Sequence, residues 1–177
     1  MDDALMNGFA EYDDSACGQF SDEINGGINV ISVDELTILF GELEPGIYRY
    51  AGRVGNTDLQ RWAQARGWRA WQINGTSIAN KAAFLSALER AMQLPAWFGR
   101  NWDALDESLR DLAGQRADGY LLIYDYPAPL AEGDPAAWRM VLDILRDASD
   151  FWQQQGQLFY VLLRHTRGLA PEIPLLR

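Results

Sequence analysis

The sequence has very few residues of the kinds that form disulfides, bind metals or span membranes. Its 177 residues include one cysteine, Cys17, and one histidine, His165. A single cysteine excludes an internal disulfide framework, as is usual for cytoplasmic proteins. No run of about 18 apolar residues is present, so we expect no membrane-spanning segment. The first residues lack the basic flank and apolar stretch of a signal peptide, and we therefore expect a cytoplasmic protein.

Positive charge is absent from the first quarter of the chain. No Lys or Arg precedes Arg49, whereas eleven acidic residues do. Residues 49–177 hold 14 acidic and 15 basic side chains, so the net charge of −10 arises in the N-terminal part. No basic stripe with interleaved aromatic residues is present, which argues against nucleic acid as a ligand. Any acidic binding surface therefore has to be identified locally.

Apolar and aromatic residues are abundant, and their pattern predicts one α/β domain. The composition is 48% hydrophobic and 12% aromatic, which is enough to form a core. Five tryptophans are expected there: Trp62, Trp68, Trp71, Trp138 and Trp152. Apolar runs and alternation predict strands at residues 47–50, 68–73, 120–124 and 158–163. Helices are expected between these strands, so the sheet should be small and mainly parallel.

Capping residues indicate where the helices begin. Asn80, Asn101 and Asp134 each precede a run with helical spacing, and residues 32–35 form a capping box. The helix expected from Trp102 to about Leu112 separates its residues onto two faces. The apolar residues lie on one face: Trp102, Leu105, Leu109 and Leu112. The acidic residues lie on another: Asp103, Asp106, Glu107 and Asp111.

The acidic face of this helix favours a binding surface over an ordinary solvated one, which remains the alternative. Like charges at these spacings destabilise a helix by a few tenths of a kcal/mol per pair. No basic residue lies four positions after Asp103 or Glu107. The preceding loop also carries Trp97 and Phe98, which we expect it to present to a partner.

The segment LPAWFGRNWDAL, residues 94–105, resembles the signature of the barstar family, the intracellular inhibitors of barnase-type ribonucleases. An aromatic pair, a glycine, an asparagine and an acidic helix stand in the order found in that family. The similarity extends over about residues 71–164, from a strand and turn at 73–75 to a long helix around 141–148 and a final strand. The resemblance implies a barstar-like fold, here with an extra N-terminal strand–helix unit.

The resemblance also implies a set of partner-binding residues. They are Trp97, Phe98, Gly99, Asn101, Asp103, Asp106, Glu107 and Asp147. Glu107 stands where the best-known member has Asp. Asp106 replaces a usual tryptophan and Arg100 replaces an acid. We therefore expect the partner's shape and charge layout to differ from those of barnase.

The implied function is that of a protein inhibitor, without catalysis, cofactor or metal, that blocks the basic active site of a ribonuclease or related toxin. We expect it to be monomeric alone. One alternative is an immunity or interaction protein for a basic partner that is not a ribonuclease. Another is an enzyme using Asp103 and Glu107 as paired carboxylates; no histidine lies near them to complete a metal site. His165 is expected at the surface, although a lone histidine is also a common general base.

We expect four segments along the chain. Residues 1–31 form an acidic, flexible segment. Residues 32–70 form an N-terminal helix–strand–helix extension. The barstar-like domain occupies 71–164, and residues 165–177 form a C-terminal tail.

Overall fold

The computed structural model describes residues 33–95, 97–112 and 115–177. The expected flexible segment 1–31 and the capping residue Ser32 lie outside these residues. Helices and strands follow one another in this order: α1 Val33–Glu42, β1 Gly46–Tyr50, α2 Asn56–Gln64, β2 Arg69–Asn74, a 3₁₀ turn Gly75–Ser77, α3 Lys81–Met92, α4 Trp102–Arg110, β3 Gly119–Asp125, α5 Ala128–Gly133, α6 Pro135–Gln154, β4 Leu158–Arg164 and β5 Leu175–Leu176. In the described part of the chain, no helix is long and apolar enough to cross a membrane.

The strands form one five-stranded sheet in the order β2-β3-β4-β1-β5. Every strand pairing in it is parallel. The predicted α/β class and the four predicted strands are confirmed, with boundaries within one residue. The two-residue strand β5, the short helix α5 and the 3₁₀ turn are additions that the apolar pattern did not indicate.

The two faces of the sheet build two separate apolar clusters. Side chains alternate along a strand, so Tyr120, Leu122 and Tyr124 of β3 point to one face and Leu121 and Ile123 to the other. Helices α3, α4, α5 and α6 cover the first face, and helices α1 and α2 cover the second. The result is three layers, with the sheet buried between two layers of helices.

The N-terminal extension supplies most of the second face and one inner strand. Strand β1 lies between β4 and β5, and Ile47 is paired with Val161. On the second face, aromatic rings stack in pairs: Phe40 on Trp62 with ring centroids 4.7 Å apart, and Trp68 on Tyr160 with centroids 5.6 Å apart. Such aromatic pairs bury large areas and add about 0.5–1.5 kcal/mol each beyond that burial. The extension is therefore part of the folded body.

Three of the predicted helix starts are confirmed by the capping geometry. The side chains of Asn80, Asn101 and Asp134 each accept a hydrogen bond from the backbone three residues on, at 2.9, 2.8 and 3.0 Å. Helix α4 ends at Arg110, two residues before the expected end. Asp111 has left the helical conformation, with φ −109° and ψ 63°, and it therefore does not share the helical face of the other acidic residues.

Alkaline pH should destabilise this fold because tyrosine hydroxyls are buried in it. Burial raises the pKa of Tyr160 to about 12, and Tyr48 and Glu44 add to the shift. The unfolded value is about 10, so the folded state favours the neutral phenol. This contribution to stability is fully present below about pH 10 and is lost as the pH rises toward 12. Urea unfolding at several alkaline pH values should show it. Tyr160→Phe should reduce the slope of the free energy of unfolding against pH. An unchanged slope would contradict the assignment of this pH dependence to Tyr160.

Candidate functional site

The loop between α3 and α4 is anchored to α3 on both sides. At its start, Gln93 adopts a left-handed conformation with φ 53°, and the backbone N–H of Leu94 donates to the Glu89 carbonyl at 3.0 Å. Near its end, Arg100 Nε donates to Glu89 Oε2 at 2.8 Å. The backbone N–H of Phe98 also donates to the Pro95 carbonyl at 2.8 Å. The loop is thereby held in one position relative to α3.

The two aromatic residues of the loop point in opposite directions. Trp97 is 75% exposed, whereas Phe98 is 5% exposed and belongs to the core beneath α3 and α4. The expectation that the loop presents both aromatic side chains is therefore wrong for Phe98. A buried Phe98 fixes the loop from below, and Trp97 is the side chain offered to solvent.

Helix α4 is held against the body by its apolar face and by one hydrogen bond. Leu105 and Leu109 are fully buried, and Trp152 Nε1 of α6 donates to the Leu109 carbonyl at 2.7 Å. At the start of the helix, Asn101 caps the Ala104 N–H, and Lys81 Nζ lies 4.8 Å from the Trp102 ring centroid. This packing turns the acidic face of α4 outward.

The acidic residues on α4 are not equivalent. Asp103 and Glu107 are exposed, and in the described residues neither forms an ion pair. Asp106 Oδ1 lies 2.9 Å from Arg110 Nε, so its charge is already partly compensated. An exposed ion pair of this kind contributes little to stability, about 0–1 kcal/mol. Asp103 and Glu107 are therefore the carboxylates of α4 whose charge no ion pair compensates within the described residues.

The loop, α4 and α6 together form one continuous surface, which we call the loop–α4–α6 surface. Trp97, Glu107 and Asp111 line a hollow of about 520 Å³ whose apolar wall includes Leu94 and Leu112.

A second hollow, of about 250 Å³, is lined by Asp147, Asp150 and Phe151 of α6. Arg110 borders both hollows, and its guanidinium carbon lies 5.6 Å from the Phe151 ring centroid. The structure thus brings Trp97, Glu107 and Asp147 together around Arg110. Asp103, Gly99 and Asn101 are exposed but line neither hollow.

The sequence did not indicate the place of Arg110. Four residues after Asp106, it has the spacing of an ordinary helix-surface ion pair. Only the packing of α4 against α6 makes it border both hollows. The described residues contain no cluster of three or more His, Cys, Asp or Glu arranged to hold a metal ion.

His165 also has a partner that the sequence did not indicate. Its side chain is 44% exposed, and Nδ1 lies 3.1 Å from Oδ1 of the buried Asp125, 40 residues earlier in the chain. An aspartate that directly follows an apolar strand was the one available signal.

Comparison with known proteins gives one family and a set of distant folds. Residues 68–164, more than half of the chain, match the family model described as Barstar (barnase inhibitor). A search of curated proteins finds no significant match.

Similar solved structures include the ORC2 protein of Aeropyrum pernix in its ADPNP–ADP complexes, with a TM-score of 0.53 and 16% identity, covering 84% of this chain and 47% of that one. The ADP form of the same protein gives a TM-score of 0.49 and 17% identity, covering 81% of this chain and 44% of that one. Cdc6p from Pyrobaculum aerophilum gives a TM-score of 0.47 and 19% identity, covering 79% of this chain and 40% of that one. This chain thus spans less than half the length of these proteins, and at such identities the likeness concerns the fold alone.

Proposed function

Since this chain belongs to the barstar family, we propose that it inhibits a ribonuclease by covering the enzyme's basic active site with the loop–α4–α6 surface. The observation that carries the proposal is the placement of an exposed Trp97 beside Glu107, on a loop and helix fixed to the core. The inhibitor performs no catalysis and needs no cofactor.

The chemistry of the target supports this use of carboxylates. A ribonuclease must hold phosphate, so its active site is basic, and carboxylates from an inhibitor occupy the positions of phosphate oxygens. Complementary charge also steers the two proteins together and raises the association rate. Such an inhibitor acts in the cytoplasm as a monomer and protects the RNA of the cell that makes it.

Each residue of the surface has a distinct role in this proposal. Trp97 is the aromatic anchor, and Asp103 and Glu107 are the charges that pair with the enzyme. Asp147 extends the acidic surface from α6. Asn101 caps α4, and Phe98 and Gly99 shape the loop that positions Trp97.

Segment by segment, we assign inhibition to residues 71–164. Residues 32–70 serve to bury the second face of the sheet, and residues 165–177 form the tail that contributes β5. The pairing of β1 with β4, and the aromatic pairs beneath it, support the role of the extension.

The target's charge layout should be mixed, since Arg110 borders both the hollow that Glu107 lines and the hollow that Asp147 lines. A partner that is basic throughout would place a cation against this guanidinium. An acceptor or carboxylate on the partner, facing Arg110, would complete the pairing. The second candidate is an immunity protein whose basic partner is not a ribonuclease, and Arg100, which stands where the family has an acid, supports a partner with a charge layout unlike that of barnase.

Titration of ribonuclease activity tests the proposal. Purified protein should abolish the activity of at least one microbial guanyl-preferring ribonuclease at a one-to-one molar ratio. Asp58→Ala, an exposed acid on α2 at the opposite face of the sheet, is the matched control and should inhibit equally. If a panel of such enzymes, including the host's own, keeps full activity at micromolar inhibitor, the ribonuclease assignment fails. A basic non-nuclease protein recovered in a pull-down would then support the second candidate.

A further inference from the structure

A second polar site lies at the carboxyl edge of the sheet, where β3 ends at Asp125. Parallel α/β sheets bind ligands at this edge, because loops and helix starts surround the strand ends. Asp125 is 3% exposed and accepts a hydrogen bond from Gln72 Nε2 at 3.0 Å and another from Asn56 Nδ2. Its other oxygen lies 3.1 Å from Nδ1 of His165. A buried carboxylate with partners on both of its oxygens thus holds the histidine.

This contact determines how the His165 ring is presented. With Nδ1–H donating to Asp125, the opposite nitrogen, Nε2, faces away from that carboxylate, and no hydrogen bond to it is found among the described side chains. The ring also stacks on Tyr126, with centroids 4.3 Å apart and planes 8° apart. A ring held at one nitrogen and on one face is oriented before any ligand arrives.

The backbone around this ring adopts conformations that side-chain-bearing residues rarely take. Tyr126, His165 and Arg167 have φ values of 52°, 53° and 48°. Residues other than glycine in this region are strained, and such strain concentrates at functional sites. Tight packing enforces the arrangement, since a Cβ on Gly75 would lie 2.4 Å from the Tyr126 carbonyl oxygen.

These residues open onto a cavity of about 350 Å³. Its lining includes Thr76, Glu132, His165 and Arg167. The guanidinium of Arg167 and the hydroxyl of Thr76 are hydrogen-bond donors, and Nε2 of His165 is a third donor in the imidazolium form of the ring. Glu132 is the one acceptor of full charge in this lining. Three donors and a single carboxylate match a small ligand that has an anionic end and hydroxyl groups elsewhere.

We propose that this cavity binds a phosphate monoester of a small hydroxylated compound. Its phosphate oxygens accept hydrogen bonds from Arg167, Thr76 and His165, while Glu132 accepts from hydroxyl groups on the rest of the ligand. The site is separate from the loop–α4–α6 surface, whose hollows share none of these residues. It gives the protein a small-molecule ligand in addition to its protein partner.

NMR of the single histidine tests this directly, because its imidazole signals need no assignment. The full-length protein is titrated with inorganic phosphate and with glucose 6-phosphate at constant pH and ionic strength. Both should shift the His165 signals saturably, and the sugar phosphate should bind more tightly. Arg167→Gln should weaken binding about tenfold, since a charge-assisted hydrogen bond is lost. Arg139→Gln, an exposed arginine on α6, is the matched control and should bind normally.

Other results of the same titration would overturn the proposal. If chloride shifts the His165 signals as strongly as phosphate does, the cavity is not a phosphate site. If phosphate causes no shift up to about 20 mM, a phosphate site of useful affinity is likewise excluded. Tighter binding of acetate than of phosphate would assign the cavity to carboxylates instead. Because the wild-type titration stands alone, a poorly folded variant leaves the test intact. Ribonuclease inhibition plays no part in the readout, so either proposal fails without the other.

Discussion

Asp103→Ala and Glu107→Ala should each weaken the complex with a susceptible ribonuclease by about 2–5 kcal/mol. This is the usual loss when one member of a desolvated charge pair is removed, because the cation on the enzyme stays buried without its partner. The effect should appear mainly in the dissociation rate. Surface plasmon resonance or stopped-flow measurement of the intrinsic tryptophan fluorescence would measure both rates.

Matched controls separate this effect from a general loss of negative charge or stability. Asp58→Ala removes the same charge on the opposite helical layer and should leave the dissociation rate unchanged. Neither Asp103→Ala nor Glu107→Ala should change the free energy of unfolding by more than about 0.5 kcal/mol, since both side chains are exposed. Normal binding by both variants would show that the acidic face of α4 is ordinary solvated surface.

Phe98→Ala should lower the free energy of unfolding by about 3–5 kcal/mol, the range for removing a buried phenylalanine. Its ring lies in the core beneath the loop, so truncation leaves a cavity and releases the loop. Urea denaturation monitored by circular dichroism would measure the loss. Inhibition should fall as well, because Trp97 would no longer be held in place.

The neighbouring residue is the control for Phe98. Trp97→Ala should change the free energy of unfolding by less than about 0.5 kcal/mol, since its side chain is 75% exposed. It should nevertheless weaken inhibition by about 2 kcal/mol or more, as expected of an aromatic anchor. If Phe98→Ala leaves stability intact and Trp97→Ala lowers it, the two rings have exchanged roles relative to this structure.

Local signals in the sequence were enough for most of the elements. The buried strands β3 and β4 are continuous apolar runs, and Asn80, Asn101 and Asp134 carry the side chains that cap helices. These features depend on residues within a few positions of one another, so a one-dimensional pattern contains them. The separation of acidic from apolar residues on α4 follows for the same reason, and the barstar resemblance rests on that segment.

The order of strands and the direction of single side chains were decided by tertiary packing. Nothing local places β1 between β4 and β5, or makes helices α1 and α2 the cover of the second face. Both depend on which apolar surfaces remain to be buried. Trp97 and Phe98 are adjacent and chemically alike. The position of the core beneath the loop decides that Phe98 is buried and Trp97 is exposed. Arg110 gains its position from α6, and His165 from Asp125, 40 residues away. These pairings join residues far apart in the chain, and their energies exist only once the chain has folded around them.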